Sequence, residues 1–361
     1  MSRVNRILLL LLAVQVVVLA GSRLLSGRGG GPAKVRKLFE GKIDPKAVSR
    51  VRIVGADGKA VELERRGGDW VLASAGAYPA LANKVTELLA KWPELRAGAP
   101  VTDKPTHQRA LEVHPDGFQR RITFTQPGKP DLTVFLGNSA GLKDVHVRLA
   151  EEPQVYLVKD LSSWDAGTAA ADWVSTEYYK VDRDKVVSLA LRNAEGELKL
   201  KRNADKKWVL EEGSEELRLH RGAPEGREQA QLQSPKLKES EVDALLSSAT
   251  TVALQEPVGD RLEPRFGLDK PAATLTLVTE PGEKGPYVLQ IGAKQGDAYY
   301  AKSSTSRFVV RLGAWAAETF TKKKLTDLQE KEKKEGEKKE EAGGPGEGMP
   351  PGMPPGMPPG E

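Results

Sequence analysis

Two segments of this chain share one pattern of residue types. Residues 48–72 read VSRVRIVGADGKAVELERRGGDWVL, and residues 186–210 read VVSLALRNAEGELKLKRNADKKWVL. Each has alternating apolar residues around an acidic residue followed by glycine, and each ends in Trp-Val-Leu. An acidic residue and glycine between two alternating runs are a strong β-hairpin signal. The chain is therefore predicted to contain a duplicated module, and a chemical motif found in only one copy must be justified by itself.

Charge is distributed unevenly along the chain. Residues 1–42 hold eight Lys or Arg residues and one Glu, whereas the rest holds 47 basic and 49 acidic residues. A dispersed, balanced charge lacks the cationic stripe typical of nucleic-acid binding, so no nucleic-acid partner is predicted. The sequence has no cysteine, which excludes disulfides, thiolate metal sites and cysteine nucleophiles.

The N-terminus begins with two arginines within six residues, followed by an apolar segment, residues 7–20. This length suits either a signal-peptide core or a short membrane span. Leu24 and Leu25 extend the apolar surface, which favours an uncleaved anchor over cleavage after Ala20. Residues 1–25 are therefore predicted to be a signal anchor or transmembrane helix. The short leading stretch favours export of the rest of the chain, although the basic residues after the segment favour the opposite orientation.

Each module is predicted to be mainly antiparallel sheet with one main packed helix, which makes the fold class α+β. After the first hairpin, helical spacing runs from Leu81 to Trp92 before Pro93. Strand-like runs follow at 121–125, 132–136, 145–149 and 155–158, and the second copy repeats the order with a helix at 239–249 and runs at 274–278, 287–291, 298–302 and 308–312. The predicted domains are a linker (26–46), module 1 (47–175), module 2 (176–325) and a tail (326–361).

Two segments are predicted not to belong to the repeated pattern, a polar insertion within module 2 and the C-terminal tail. Residues 211–234 are a polar insertion, expected to be a surface loop. The tail mixes Lys and Glu and then repeats Gly-Met-Pro-Pro, which predicts disorder. Met349, Met353 and Met357 could be considered as soft copper(I) ligands, but no histidine or cysteine accompanies them. No metal and no cofactor are predicted.

One motif has the form of a hydrolase signature, Gly137-Asn138-Ser139-Ala140-Gly141, or G-x-S-x-G. In hydrolases this motif places serine on a turn from a strand into a helix. Here alternating Val145, Val147 and Leu149 follow, so the chain is predicted to turn into another strand. The second copy has no serine at the matching turn. A glycine-rich hairpin is therefore favoured, and no catalytic residue is predicted.

Histidines offer a second candidate site. His107 and His114 lie near Glu112 and Asp116 in a loop-like segment with mixed nitrogen and oxygen donors. Their spacing matches no established metal site, and the second copy has no histidine there. His146 is predicted to lie on a strand and to face solvent.

Tryptophans occur in matched positions of the two copies. Trp70 matches Trp208, and Trp164 and Trp315 each close a module, whereas Trp92 and Trp173 have no matching tryptophan. Large rings at equivalent positions more often anchor a core than stack on a ligand. The paired tryptophans are therefore predicted to be core residues.

The whole pattern resembles bacterial proteins of the domain of unknown function family 4340. The resemblance rests on the N-terminal apolar segment, the repeated unit, Arg265-Phe266-Gly267-Leu268-Asp269-x-Pro271 and Leu289-Gln290-Ile291-Gly292, and it covers about residues 48–325. The first module departs from it, with Leu111-Glu112-Val113-His114-Pro115 at the corresponding place. The family has no assigned catalytic residues. Its genes often lie beside those of ABC transporter permeases, which implies an accessory role at a transport complex.

Three functions are therefore considered. The first is a non-enzymatic scaffold in the bacterial inner membrane, mainly periplasmic, that binds membrane-protein partners of a transport complex. The second is a module that binds glycan, lipid or peptide in the cleft between the two copies. The third is a hydrolase. No binding residues can be assigned, and function is expected where the copies differ: the insertion 211–234, the loop 107–116 and the inter-module cleft.

Overall fold

The computed structural model describes residues 35–211, 236–281 and 285–330, together with the single residue Gln15. No helix within these ranges is both long and apolar enough to cross a membrane. The predicted anchor, residues 1–25, lies outside the described residues except for Gln15. The first part of the predicted linker, the predicted insertion after Glu211 and the tail beyond residue 330 also lie outside them.

The first half of the fold contains twelve strands and two α-helices among the described residues. They are β1 (Arg36–Lys37), β2 (Arg50–Gly55), β3 (Ala60–Arg66), β4 (Asp69–Leu72), β5 (Tyr78–Pro79), α1 (Ala82–Lys91), β6 (Arg96–Ala97), α2 (Pro105–Ala110), β7 (Val113–His114), β8 (Gly117–Phe118), β9 (Arg120–Thr125), β10 (Leu132–Gly141), β11 (Asp144–Leu149) and β12 (Val155–Lys159).

The second half contains ten strands and two α-helices within the described ranges. They are β13 (Glu177–Lys180), β14 (Val186–Asn193), β15 (Gly196–Arg202), β16 (Trp208–Leu210), α3 (Glu239–Thr250), β17 (Thr251–Ala253), β18 (Glu256–Gly259), β19 (Ala273–Thr279), β20 (Tyr287–Gln295), β21 (Ala298–Ser303), β22 (Val309–Gly313) and α4 (Ala314–Thr321).

Two large sheets organise these strands. The first has the order β1-β6-β12-β11-β10-β9-β2-β3-β4-β5, and the second has the order β16-β15-β14-β19-β20-β21-β22-β18. Read from the tryptophan strand, β4-β3-β2-β9-β10-β11-β12 and β16-β15-β14-β19-β20-β21-β22 follow the same path. The predicted α+β class, mainly antiparallel sheet with few helices, is confirmed.

The first predicted hairpin is confirmed, and its turn residues explain it. Gly58 has φ +76°, a value that side chains disfavour. The N–H of Lys59 donates to Asp57 Oδ1 at 3.1 Å, and the N–H of Gly55 donates to the Lys59 carbonyl at 2.8 Å. The turn therefore fixes the register of β2 against β3, and this register decides which side chains are buried.

The inner face of the first sheet is covered by helix α1. Val85, Leu88 and Leu89 are buried and share one face of the helix, as their spacing predicts. The helix is followed by a 3-10 turn in which Trp92 is fully buried. Its ring meets Phe39 and Phe124 edge-on, with centroids 5.1 and 4.9 Å away, an arrangement that aromatic pairs prefer.

The two halves are joined through a common apolar core that includes buried residues from both sheets. At their boundary the rings of Tyr78 and Phe308 pack with centroids 4.7 Å apart. The Tyr178 hydroxyl donates to the Phe308 carbonyl at 2.6 Å and accepts from the Ser303 N–H at 2.9 Å. Aromatic rings are thus in contact at this boundary, and the Tyr178 hydroxyl beside them is hydrogen-bonded.

Each half ends in the same way, with a 3-10 turn that holds the start of its main helix. In the first half the N–H of Leu81 donates to the Trp173 carbonyl at 2.7 Å. In the second half the N–H of Lys238 donates to the Leu328 carbonyl at 2.8 Å. Trp173 and Leu328 are both fully buried. Trp173 therefore has a structural counterpart, although not a tryptophan.

We expect Leu328→Ala to lower the free energy of unfolding by about 2–4 kcal/mol, because it leaves a cavity beneath α3. Chemical denaturation followed by circular dichroism measures this. The neighbouring exposed Thr326→Ala is the control and should change stability by less than about 0.5 kcal/mol. Equal effects of the two substitutions would show that this turn is not part of the core.

Candidate interaction surfaces

The G-x-S-x-G motif forms the end of strand β10 and the turn into β11. Ser139 is exposed and lies opposite Val145 of β11. The chain therefore turns from strand to strand, and the predicted glycine-rich hairpin is confirmed. The strand-to-helix turn of a hydrolase nucleophile is not present here.

Gly137 in this motif is required by a close backbone approach. A Cβ atom at this position would lie 1.9 Å from the carbonyl oxygen of Leu111. Gly292, in β20, has the same relation to Phe266, whose carbonyl oxygen would lie 2.0 Å from a Cβ. In both halves a segment crosses the outer face of the sheet at a glycine, so the glycine serves packing.

The crossing segment of the first half contains the histidine cluster. His107 Nδ1 lies 2.9 Å from the Thr102 hydroxyl, and His114 Nδ1 accepts from the Asp116 N–H at 3.2 Å. Glu112 accepts from the Gln119 amide at 2.7 Å. Within the described ranges, no group of three His, Asp or Glu side chains is arranged to hold a metal ion. These polar groups make local bonds, and the segment predicted to be loop-like instead contains helix α2, which includes His107, and strand β7, which includes His114.

His146 was expected to face solvent, and this is only partly correct, because its side chain is half-buried. Its Nδ1 lies 2.9 Å from the Asn138 carbonyl oxygen, to which it can only donate. Val145, which precedes it, is fully buried on the inner face, so alternation places His146 on the outer face. Ser139 pairs with Val145 and therefore does not share a face with His146.

Arg148 is a structural residue that the sequence pattern did not single out. Its side chain is buried, and its Nε donates to the Val113 carbonyl at 2.8 Å. Its Nη1 donates to the carbonyls of Leu149, Ala150 and Glu152 at 3.1–3.2 Å. Burial lowers the pKa of this guanidinium. The available sequence signal was a charged residue between apolar neighbours on a predicted strand. The role of Arg148 is to hold the crossing segment against the sheet.

The prediction that the paired tryptophans are core residues is correct for Trp70 and only in part for Trp208. Trp70 is buried, whereas Trp208 is half-buried and packs against the core. The guanidinium carbon of an arginine lies over each ring, 5.0 Å from Trp70 and 5.3 Å from Trp208. Trp164 and Trp315, by contrast, are 87% and 86% exposed. The prediction for these two is wrong.

Local geometry explains why these two rings point outward. Trp315 lies in the first turn of α4, and Ala317, which is fully buried, follows it by two residues. Two residues are roughly 200° apart around a helix, so the two side chains face opposite sides. Trp164 lies in a 3-10 turn that starts just after Leu161, and Leu161 fills the core instead.

The open part of the first sheet's outer face is lined by charges that neutralise each other. Arg50 and Arg52 of β2 lie opposite Glu64 and Glu62 of β3. Arg50 Nε lies 3.2 Å from Glu62, and its Nη2 lies 3.6 Å from Glu64. We call this surface, formed by these four residues, the ion-pair face.

The corresponding surface of the second sheet is different. Ser188 and Ala190 of β14 lie opposite Lys201 and Lys199 of β15. The lysines occupy the places of the two glutamates, and small side chains occupy the places of the two arginines. Lys199 lies 3.2 Å from Glu197, whereas Lys201 has no ion pair with another described residue. We call this surface, formed by the four residues and Thr276, the lysine face.

Two open cavities lie within single halves of the fold. One, of about 610 Å³, is lined by residues 180–183, 247, 250 and 251. The other, of about 380 Å³, is lined by residues 91, 94–96, 159 and 160. Neither lies at the boundary between the halves, where Tyr78 and Phe308 are in contact.

We expect Gly137→Ala and Gly292→Ala each to lower the free energy of unfolding by about 1–3 kcal/mol, because the added methyl group overlaps the crossing carbonyl. Gly141→Ala is the control, since its Cβ would find its nearest neighbour at 3.7 Å. Ser139→Ala should change stability by less than about 0.5 kcal/mol. A destabilisation by Gly141→Ala as large as that by Gly137→Ala would contradict the crossing argument.

No curated protein and no solved structure matches this chain. The model of one protein family, described as a domain of unknown function, DUF4340, matches residues 70–256. The matched region begins at Trp70 in β4 and ends at Glu256 in β18, so it includes parts of both sheets. It spans just over half of the chain, which therefore belongs to the DUF4340 family.

Proposed function

We propose that this protein is a membrane-tethered, non-enzymatic scaffold whose two halves are copies of one module. The matching strand order supports the duplication, and so do the equivalent bonds at Leu81 and Lys238. The apolar segment at residues 7–20 supplies the tether. The folded part lies on the periplasmic side of the bacterial inner membrane, where it binds a membrane-protein partner. The partner class, a component of an ABC-type transport complex, follows from the family resemblance.

The lysine face is the observation that carries the binding role. Its centre, Ser188, Ala190 and Thr276, has short side chains, so another surface can approach the sheet closely. Lys199 and Lys201 flank this centre, and β14 places no carboxylate opposite either of them, although Lys199 is paired with Glu197 on its own strand. A partner surface with carboxylates would complete the pattern, and electrostatic complementarity of this kind selects partners.

The described residues support the two alternative functions, a ligand-binding module and a hydrolase, less well. A ligand site between the halves would need an open cleft, but the rings of Tyr78 and Phe308 are in contact at that boundary. A hydrolase would need a nucleophile next to a base, but Ser139 and His146 lie on opposite faces of the sheet. The scaffold is therefore the function that the described residues favour.

The orientation of the chain is tested with a reporter that is active only in the cytoplasm, fused after residue 330. We expect no activity, because the proposed anchor exports the fold. The same reporter fused to a cytoplasmic protein is the positive control. Activity of the fusion would overturn the periplasmic placement.

The lysine face is tested in the full-length chain in its native membrane. We expect Lys199→Glu with Lys201→Glu to reduce co-purification of the membrane partner by at least about tenfold, because the carboxylates repel an acidic surface. The matched control is Arg52→Glu with Lys46→Glu, which makes the same change of charge on exposed residues of the first half. Equal recovery of the partner with both double variants would exclude the lysine face as the binding surface.

A further inference from the structure

A row of three basic side chains crosses one end of the first sheet. Lys37 of β1 lies opposite Arg96 of β6. Ala97, the next residue of β6, lies opposite Val158 of β12. The same register places Arg96 opposite Lys159, the residue after Val158. Directly opposed residues of antiparallel strands point to the same face, with Cβ atoms about 5 Å apart. We call Lys37, Arg96 and Lys159 the basic row.

The basic row lacks counter-charges at two of its three positions. Lys37 contacts Glu94 at 2.7 Å. Neither Arg96 nor Lys159 makes an ion pair with another described residue, although Asp144 of β11 lies opposite Lys159 on its other side. Like charges that face each other directly destabilise a pair of strands. The fold therefore keeps two neighbouring cations together at a cost in stability.

An open cavity lies beside the basic row. It is the cavity of about 380 Å³ described above, and Arg96 and Lys159 both line it. Lys91, the last residue of α1, lines it as well, and so does the buried Leu95. The cavity thus brings cationic groups from β6, β12 and the end of α1 around one open space.

Most carboxylates around this cavity are already bonded. Glu94 lines the cavity and is held by Lys37, and Asp165 contacts Lys91 at 2.6 Å. Asp160, which also lines the cavity, is exposed and makes no ion pair with another described residue. The charge of Asp160 opposes an incoming anion, and the effect of removing that charge can be measured.

The second half keeps the corresponding strands but not the central cation. Strand β13 pairs with β17 as β1 pairs with β6, and Lys180 lies opposite Thr251. In each half the N–H of the residue after the lysine donates to the carbonyl before its partner, at 2.9 Å from Leu38 and at 2.8 Å from Val181. Thr251 therefore stands in the place of Arg96.

The third position of the row is also uncharged in the second half. Gly313 of β22 lies opposite Ala298 of β21, just as Lys159 of β12 lies opposite Asp144 of β11. One lysine thus remains where the first half has three basic residues. Because the same strand path forms without the other two charges, the strand pairing does not require them.

We propose that the cavity beside the basic row binds a phosphate group between Arg96 and Lys159. The planar fork of arginine bonds two phosphate oxygens at once, and lysine adds a compact charge. A phosphate group has several acceptor oxygens and can therefore bond both cations together. The site lies on the other sheet from the lysine face, so the inference does not rest on the proposed protein partner.

Two sources can supply the phosphate group, the headgroup of an anionic lipid and phosphate dissolved in water. A bilayer that held residues 7–20 would lie within roughly 60 Å of Lys37, because an extended chain spans at most about 3.5 Å per residue. Both sources offer the same chemistry to Arg96 and Lys159, and separate arms of one experiment distinguish them.

Protection of Lys159 from an amine-acylating reagent tests the inference. The full-length chain is kept in micelles of a nonionic detergent, and mass spectrometry measures the acylation rate of each lysine. One arm adds inorganic phosphate and another adds phosphatidylglycerol, both at constant ionic strength. We expect one of these probes to slow the acylation of Lys159 by about threefold or more, since a bound anion favours the protonated, unreactive amine. Lys180, at the equivalent end of the second half, is the internal control and should keep its rate.

Two substitutions in the cavity should change binding in opposite directions. Arg96→Gln removes one of the two cations and should raise the probe concentration for half-protection by about fivefold or more. Asp160→Asn removes the opposing carboxylate and should lower that concentration by about twofold. Asp160 has φ +59°, a conformation that asparagine tolerates. Arg52→Gln, on the ion-pair face, is the matched control and should change nothing.

Each result decides for or against the phosphate site. Protection by inorganic phosphate identifies dissolved phosphate as a source, and protection by phosphatidylglycerol alone identifies the lipid headgroup; either result supports the site. Protection by neither probe, or equal protection of Lys159 and Lys180, would overturn the inference. So would a half-protection concentration that Arg96→Gln leaves unchanged.

Discussion

Each large sheet can bury only one face beneath its own helix, and most other features of the molecule depend on this limit. The inner faces meet in a common core, where residues such as Ile53, Leu63 and Leu200 have almost no exposure. The outer faces are left with partial cover from one crossing segment each. The part of each outer face that the crossing segment leaves uncovered must be compatible with water or with a partner surface. The ion-pair face and the lysine face are two different responses to the same constraint.

The sequence predicted the elements whose signal is local. Asp57-Gly58 predicted the first hairpin, and the spacing of Val85, Leu88 and Leu89 predicted helix α1, because turn chemistry and helical periodicity act within a few residues. It could not predict the outward rings of Trp164 and Trp315, because residue type does not reveal which neighbour reaches the core first. Leu161 and Ala317 occupy those inner positions, and only the assembled sheet shows this.

The candidate sites show the same difference between local signals and contacts that form only in the assembled fold. Gly137 belonged to a motif that suggested catalysis, yet its real requirement is the carbonyl of Leu111, twenty-six positions earlier in the chain and invisible to a local pattern. The second copy also excludes a catalytic serine. Gly292 meets a crossing carbonyl as Gly137 does, but no serine stands at the position that matches Ser139. The lysine face was also beyond sequence analysis, because it becomes apparent only when the register of β14 against β15 is known.

A pulling force on the chain would meet its weakest resistance at the margins of the fold. At residue 330 the load falls on a short ribbon in which Leu237 pairs with Gln329 and the N–H of Glu330 donates to the Lys236 carbonyl. At residue 35 it falls on the two-residue ladder between β1 and β6. The central strands, with five to seven paired positions each, lie behind these attachments. Tension applied between residues 35 and 330 would therefore separate these edge pairs before it reached the central strands, so the two ends of the described fold are its mechanically weakest attachments.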